Sequence, residues 1–208
     1  VVMFAKKALW VLAFSVFAIV LTAGDLKIAS VFSDHMVIQR DKPVPVWGWA
    51  KPGTKVTVEF KGQKFTATTD KDGKWLVQFK PLKTDSKPAE MLFSTSAEKK
   101  KINDILVGEV WLCSGQSNME WPLYRSAQGA KMIAAARNPN IRLLKVARRY
   151  SGFPLKSFAA KWQQDSPANV RTFSAVGYYF GLELNKALNV PVGLIESAWG
   201  GTRIEPWT

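Results

Sequence analysis

One cysteine and one histidine in 208 residues exclude several kinds of chemistry. Cys113 has no second cysteine to pair with, so no disulfide joins two parts of this chain. No cysteine cluster or Cys/His set of metal-binding spacing can be assembled either. The expectation is therefore no metal and no cofactor. Acidic residues are also scarce, 16 against 29 Lys and Arg, which leaves a formal net charge of +13. Such a balance raises the question of nucleic acid. Apart from Lys99, Lys100 and Lys101, however, the lysines are scattered over strand and turn positions, and no helix-turn-helix, zinc-finger or RNA-binding motif accompanies them. No nucleic-acid partner is expected; a solvated basic face is the default reading, with attraction to anionic polysaccharide behind it. Long apolar runs are missing as well: the stretch from Ala8 to Leu21 is shorter than the roughly 20 residues a membrane crossing needs.

That stretch fits a cleaved export signal. Lys6 and Lys7 precede it, the small residues Thr22, Ala23 and Gly24 follow it, and no cysteine stands at the cleavage point to make a lipoprotein. Residues 1–24 are read as a signal peptide, with a mature chain starting near Asp25, exported to the periplasm or beyond and not stably inserted in a membrane. What remains is ordinary globular material, 47% hydrophobic and 22% charged. Its nine Trp and twelve Phe either fill cores or stack on flat ligands such as sugar rings.

Residues 25–104 carry the marks of short strands. Val56, Val58 and Phe60 alternate with polar residues, Lys61-Gly62 signals a turn, and Phe65, Ala67 and Thr69 resume the alternation, which predicts a hairpin. Residues 70–73 supply the next turn and Trp75, Val77 and Phe79 the next strand, while Pro43, Pro45 and Gly53 punctuate an earlier one around Val46 to Trp49. A small β-sandwich is expected, structural or carbohydrate-binding in role. From Ile105 the pattern changes to that of an α/β domain over 105–208. Ile105 to Cys113 reads as a strand buried on both faces. A helix is expected at about Ala127 to Ala136 and a strand from Ile141 to Val146. Phe173, Val176, Phe180, Leu184 and Leu188 mark an amphipathic helix ending near Asn189, before a buried strand at Val192 to Ile195. With only about three strands where doubly wound sheets usually carry five or more, this second domain is read as truncated at its C-terminus.

Gly115-Gln116-Ser117-Asn118-Met119 follows the first strand of that domain, at the end where open α/β sheets bind ligands. A serine there can expose its hydroxyl and aim its own N–H at a developing oxyanion. The spacing approaches a G-x-S-x-G nucleophile elbow, but Met119 stands where the second Gly belongs, which argues against an α/β-hydrolase. On spacing alone, a turn serine bonded to its local backbone is the commoner arrangement.

Val107-Gly108-Glu109-Val110-Trp111-Leu112-Cys113-Ser114-Gly115-Gln116-Ser117-Asn118-Met119 resembles the signature of the sialate O-acetylesterase group of SGNH hydrolases. The likeness continues at Val31 to Arg40, at Val46 to Ala50, at Phe173 to Phe180 and at Ser197-Ala198-Trp199-Gly200-Gly201-Thr202, in the family's order. The resemblance implies a β-sandwich followed by a three-layer, flavodoxin-like α/β esterase domain. It also implies an acetylated sugar or glycan as substrate and Ser117 as a nucleophile that forms an acetyl-enzyme. It assigns the oxyanion hole to the N–H of Ser117 and that of Gly200 or Gly201, with the choice left open. The family's third oxyanion donor and its Asp-x-x-His block have no counterpart in this sequence, so the chain alone is expected to be a weak esterase. Gln116, Asn118 and Arg203 are candidate substrate contacts; Trp121, Trp199 and Trp207 either line the cleft or pack. His35 falls in a segment without a catalytic role. The alternative is a non-catalytic carbohydrate-binding or vestigial fragment.

Overall fold

In a computed structural model, residues 26–207 are described; the signal segment expected over 1–24 lies outside them. The chain is mostly sheet. Strands β1 (Lys27–Ile28), β3 (Val44–Trp49) and β6 (Lys74–Phe79) form a three-stranded antiparallel sheet in the order β1-β3-β6. β4 (Lys55–Phe60) and β5 (Gln63–Thr68) make the expected hairpin. Phe60 pairs with Gln63, so the loop is Lys61-Gly62 alone, with φ of 45° and 75°, the backbone a two-residue type I′ turn requires. In the next turn the Asp70 carboxylate accepts the N–H groups of Asp72 and Lys74 at 2.9 and 2.8 Å.

β4 pairs with β7 (Asp85–Ser94), and β7 with β8 (Lys99–Gly115). Val44 and Val46 of β3 and Trp75, Val77 and Phe79 of β6 share one core with Val56, Val58 and Phe60 of β4 and Met91 and Phe93 of β7. Burying each such side chain stabilises the fold by roughly 1.5–3 kcal/mol. The strand expected from Ile105 to Cys113 therefore starts six residues earlier, at Lys99. Its first half is antiparallel to β7 and its second half parallel to β11 (Val192–Ala198). Between Ile102 and Ile105 the register slips by one residue, and Asp104 takes a φ of 53° at the resulting bulge. β2 (Val37–Gln39) pairs with β8 across this midpoint.

β11 lies between β8 and β9 (Ile141–Lys145), both parallel to it, and β10 (Trp162–Gln164) adds an antiparallel edge on β9. Three short helices intervene, α1 (Ser117–Glu120), α2 (Gly129–Ala135) and α3 (Pro167–Val170), and one long helix, α4 (Ala175–Leu188), packs on β11. Two expectations need correction. Ile105, Leu106 and Val107 of β8 are buried as expected, but past Glu109 the strand is not covered on both faces: Trp111 is 43% and Leu112 65% exposed. The helix over Ala175–Leu188 is where the periodicity puts it, yet Val176, Phe180 and Leu188 face outward. Its buried side is Ala175, Gly177, Tyr178 and Gly181. Small residues win because the helix lies so close to the sheet that a Cβ on Gly181 would stand 2.6 Å from the Leu194 side chain.

The ends of α4 follow from sequence. Ser174 accepts the Gly177 N–H at 3.0 Å as N-cap. Asn189 closes the helix with φ 51°, which a short amide side chain tolerates better than a Cβ-bearing apolar one. Asn189→Ala should cost about 1 kcal/mol and Asn189→Gly close to nothing, read as urea midpoints.

Candidate active site

β8 leaves the sheet at Gly115, whose φ of 136° only glycine adopts easily. Gln116 follows as the N-cap of α1, and Ser117 becomes the helix's first residue. Its N–H has no intrahelical partner. Gln116, Ser117 and Asn118 are exposed on an open concavity bounded by residues 114–119, and the Ser117 hydroxyl makes no hydrogen bond among the described residues.

The loop after β11 is brought against this turn. Trp199 N–H donates to the Gly115 carbonyl at 2.9 Å, tying the two strand ends together. A Cβ on Gly200 would lie 3.5 Å from both Cα and Oγ of Ser117, so the first of the two candidate glycines lies beside the serine with room for no more than one added carbon between them. Its N–H, however, is already engaged: it donates to Glu120 Oε2 at 2.8 Å. Gly201, with φ 81° and open space around it, has an N–H with no acceptor among the described residues. Arg203, two residues on, is exposed and in no ion pair among the described residues.

Glu120 was not singled out from sequence, and neither was its second partner, Arg148, which pairs with Glu120 Oε1 and lies 5.9 Å over the Trp199 ring. Burial works to raise the Glu120 pKa, but the Gly200 N–H and Arg148 prevail and hold it below the ordinary value. Behind them, Glu196 of β11 is 1% exposed; it accepts the Ser174 N–H at 2.8 Å and pairs with Lys145 at 2.8 Å. Here burial dominates and raises the pKa despite Lys145. The folded chain thus releases the Glu196 proton at a higher pH than the unfolded chain does, so this group lowers stability as pH rises above the ordinary carboxylate range. The stability advantage of Glu196→Gln over the parent should grow as pH rises above the ordinary carboxylate range in paired thermal melts. A constant difference would show that Glu196 stays ionised throughout.

Cys113 is buried against Gly177, and burial with the nearby Glu196 charge pushes its thiol up to about 11, which leaves it protonated and unsuited to nucleophilic attack. His35 is elsewhere. Its Nδ1 lies 2.6 Å from Asp104 Oδ2, and Asp104 and Gly115 are eleven residues apart on β8, on the order of 30 Å along a strand. Asp104 also receives Arg142 Nη2 at 3.0 Å and Gln164 Nε2 at 2.8 Å. Among the described residues no group of three His, Cys, Asp or Glu side chains could hold a metal ion.

Residues 107–208 match a family model described as carbohydrate esterase, sialic acid-specific acetylesterase. The chain is 32% identical over 202 residues to the sialate O-acetylesterase of Homo sapiens and 31% over 201 residues to that of Mus musculus. Those alignments cover 88% of this chain but 38% and 37% of the relatives, so the chain spans about two fifths of their length. Among solved structures, a carbohydrate acetylesterase from Xanthomonas citri superposes with a TM-score of 0.85 at 36% identity, covering 88% of this chain and 42% of that one.

Proposed function

We propose, for a chain whose residues 107–208 belong to the carbohydrate esterase family of sialic acid-specific acetylesterases, that Ser117 is the nucleophile of a sugar O-acetylesterase. The carrying observation is the junction of two strand ends. An exposed serine with a free N–H faces a glycine loop so near that a Cβ added to Gly200 would stand 3.5 Å from its hydroxyl oxygen.

In this reading Ser117 Oγ attacks the acetyl carbonyl carbon, its proton passing to a base. The bond to the sugar oxygen breaks, and the sugar leaves as an alcohol after taking up a proton. Water then attacks the acetyl-enzyme, releasing acetate and restoring the hydroxyl. Negative charge on the carbonyl oxygen is met by the N–H of Ser117 and, because the Gly200 N–H is engaged by Glu120, by that of Gly201. Glu120 and Arg148 hold the Gly200 loop against the serine. The base is not His35, which is engaged with Asp104 at the far end of β8. Gln116, Asn118 and Arg203 stand by as contacts for the sugar, and an acidic sugar suits Arg203.

The test is labelling with a fluorophosphonate, with acetate release from O-acetylated sugars measured in parallel. Covalent modification mapping to Ser117 is expected, together with acetate release. A folded, active protein modified at another residue would overturn the assignment, and a folded full-length protein with neither signal would favour a non-catalytic sugar-binding role.

A further inference from the structure

We propose that the outer face of β3, centred on Trp47 and Trp49, is a docking surface for an acidic polysaccharide. Along β3 the buried positions are Val44, Val46 and Gly48, so Trp47 and Trp49 share the opposite face and are half-buried. Gly48 between them has no room for a side chain, since a Cβ would stand 2.0 Å from the Lys27 carbonyl oxygen and 2.6 Å from the Trp75 ring. Gly48 thus lets Trp75 and the Lys27 strand pack closely against β3, while the two indoles stand side by side on its outer face. Neither indole N–H has an acceptor among the described residues. Opposite them, Leu155 and Phe158 form the second wall of a groove of about 450 Å³, a size within the roughly 300–1,000 Å³ of small-ligand sites. Flat apolar rings with unsatisfied polar edges suit a pyranose, which offers an apolar face and a rim of hydroxyls.

Charge selects the kind of sugar. Lys74 and Lys156 line this groove, while Lys27, Lys51 and Lys71 line the depression that adjoins it at Trp49. All are exposed, and none is in an ion pair among the described residues. Only Asp70 and Asp72 oppose them, and one Asp70 oxygen is occupied by its own turn. Lysines that leave their ammonium groups free around two tryptophans fit a polymer that repeats a carboxylate.

The groove also leads somewhere. Leu155 and Phe158 line, in addition, the concavity that holds Arg148, Trp199 and Trp207, and Trp199 precedes the glycine that lies beside Ser117. A chain lying over Trp49 has a continuous wall to follow toward the serine. In taking the bound polymer to be the one whose acetyl groups are removed, the inference rests on the esterase reading; binding itself does not.

The experiment uses full-length protein carrying Ser117→Ala and unacetylated polygalacturonate as probe, with neutral amylose alongside, in affinity electrophoresis and titration of tryptophan fluorescence. Polygalacturonate should bind, amylose should bind at least about tenfold more weakly, and affinity should fall as salt rises from about 50 to about 300 mM. Trp49→Ala should weaken binding about fivefold or more, as should the triple change Lys27→Gln, Lys71→Gln, Lys156→Gln, which leaves the core untouched. Lys99→Gln, Lys131→Gln, Lys186→Gln removes the same charge from other exposed sites and should stay within about twofold. Equal weakening by the two triple variants would reduce the effect to overall charge and overturn the proposal. So would equal affinity for a DNA duplex or anionic vesicles, or no retention by polygalacturonate. None of these outcomes depends on esterase activity, which the fluorophosphonate experiment tests separately.

Discussion

In the full-length protein, Ser117→Ala should lower acetate release on the order of 10⁴- to 10⁶-fold, the scale on which serine hydrolases respond to loss of the nucleophile. That corresponds to about 5–8 kcal/mol of barrier. Stability should hardly change, within about 0.5 kcal/mol, because the side chain is exposed and its hydroxyl has no partner among the described residues. Residual turnover would come from the backbone N–H groups and from substrate binding. The matched control is His35→Ala. Its imidazole sits on the Asp104 carboxylate, so its removal should cost about 1 kcal/mol of stability and leave most of the activity. Should His35→Ala inactivate as thoroughly as Ser117→Ala while still folded, the base has been misplaced.

Asp104→Ala is expected to be among the most destabilising single changes away from the cleft, at about 3–5 kcal/mol. Its carboxylate joins four elements: its own strand β8, the His35 loop, Arg142 of β9 and Gln164 of β10. Arg142 is 2% exposed, and its Nε and Nη1 already lack partners among the described residues. Removing Asp104 strands a buried guanidinium. Burial works to raise the Asp104 pKa, but the bonds from His35 and Gln164 and the Arg142 charge hold it below the usual value. The stabilisation is therefore present above the unfolded carboxylate range and lost as pH falls through the lower folded value. Urea melts of the parent and Asp104→Ala should converge as pH falls below the ordinary carboxylate range. The double variant Asp104→Ala, Arg142→Met should recover much of the loss at neutral pH, because an apolar side chain replaces the stranded charge. A single variant within about 1 kcal/mol of the parent would mean that water reaches Arg142 after all.

Legibility in the sequence varies with the kind of contact. The β4–β5 hairpin is readable because both its alternation and its Lys61-Gly62 turn are local. The C-terminal end of α4 is readable for the same reason, through Asn189. Its buried face is not, since large apolar residues mislead when a helix is packed so closely that glycine and alanine must face the sheet. β7 is obscured by Pro88 and by the irregular pairing around it, and the first half of β8 by three lysines that resemble a solvated run. Ser117 stands out through a family resemblance more than through spacing. Glu120 and Arg148 carry no sequence signal at all: they are 28 residues apart, and only the return of β11 beside β8 brings the Gly200 loop to them.

The uninterrupted course of β8 also bears on how the chain acquires its shape. Its first half zips to β7 through a connection of only a few residues, a low-contact-order event that ranks among the faster steps in folding. Its second half must wait for β11, about eighty residues downstream, and for the loop-closure entropy of that span. Because one backbone runs through both pairings, completion of the early hairpin sets the direction and twist of the strand on which the late parallel sheet assembles. The serine turn sits at the end of that template. Errors of register at Asp104 would thus be carried along the strand to Gly115, making the bulge a checkpoint for the geometry of a site on the order of 30 Å away.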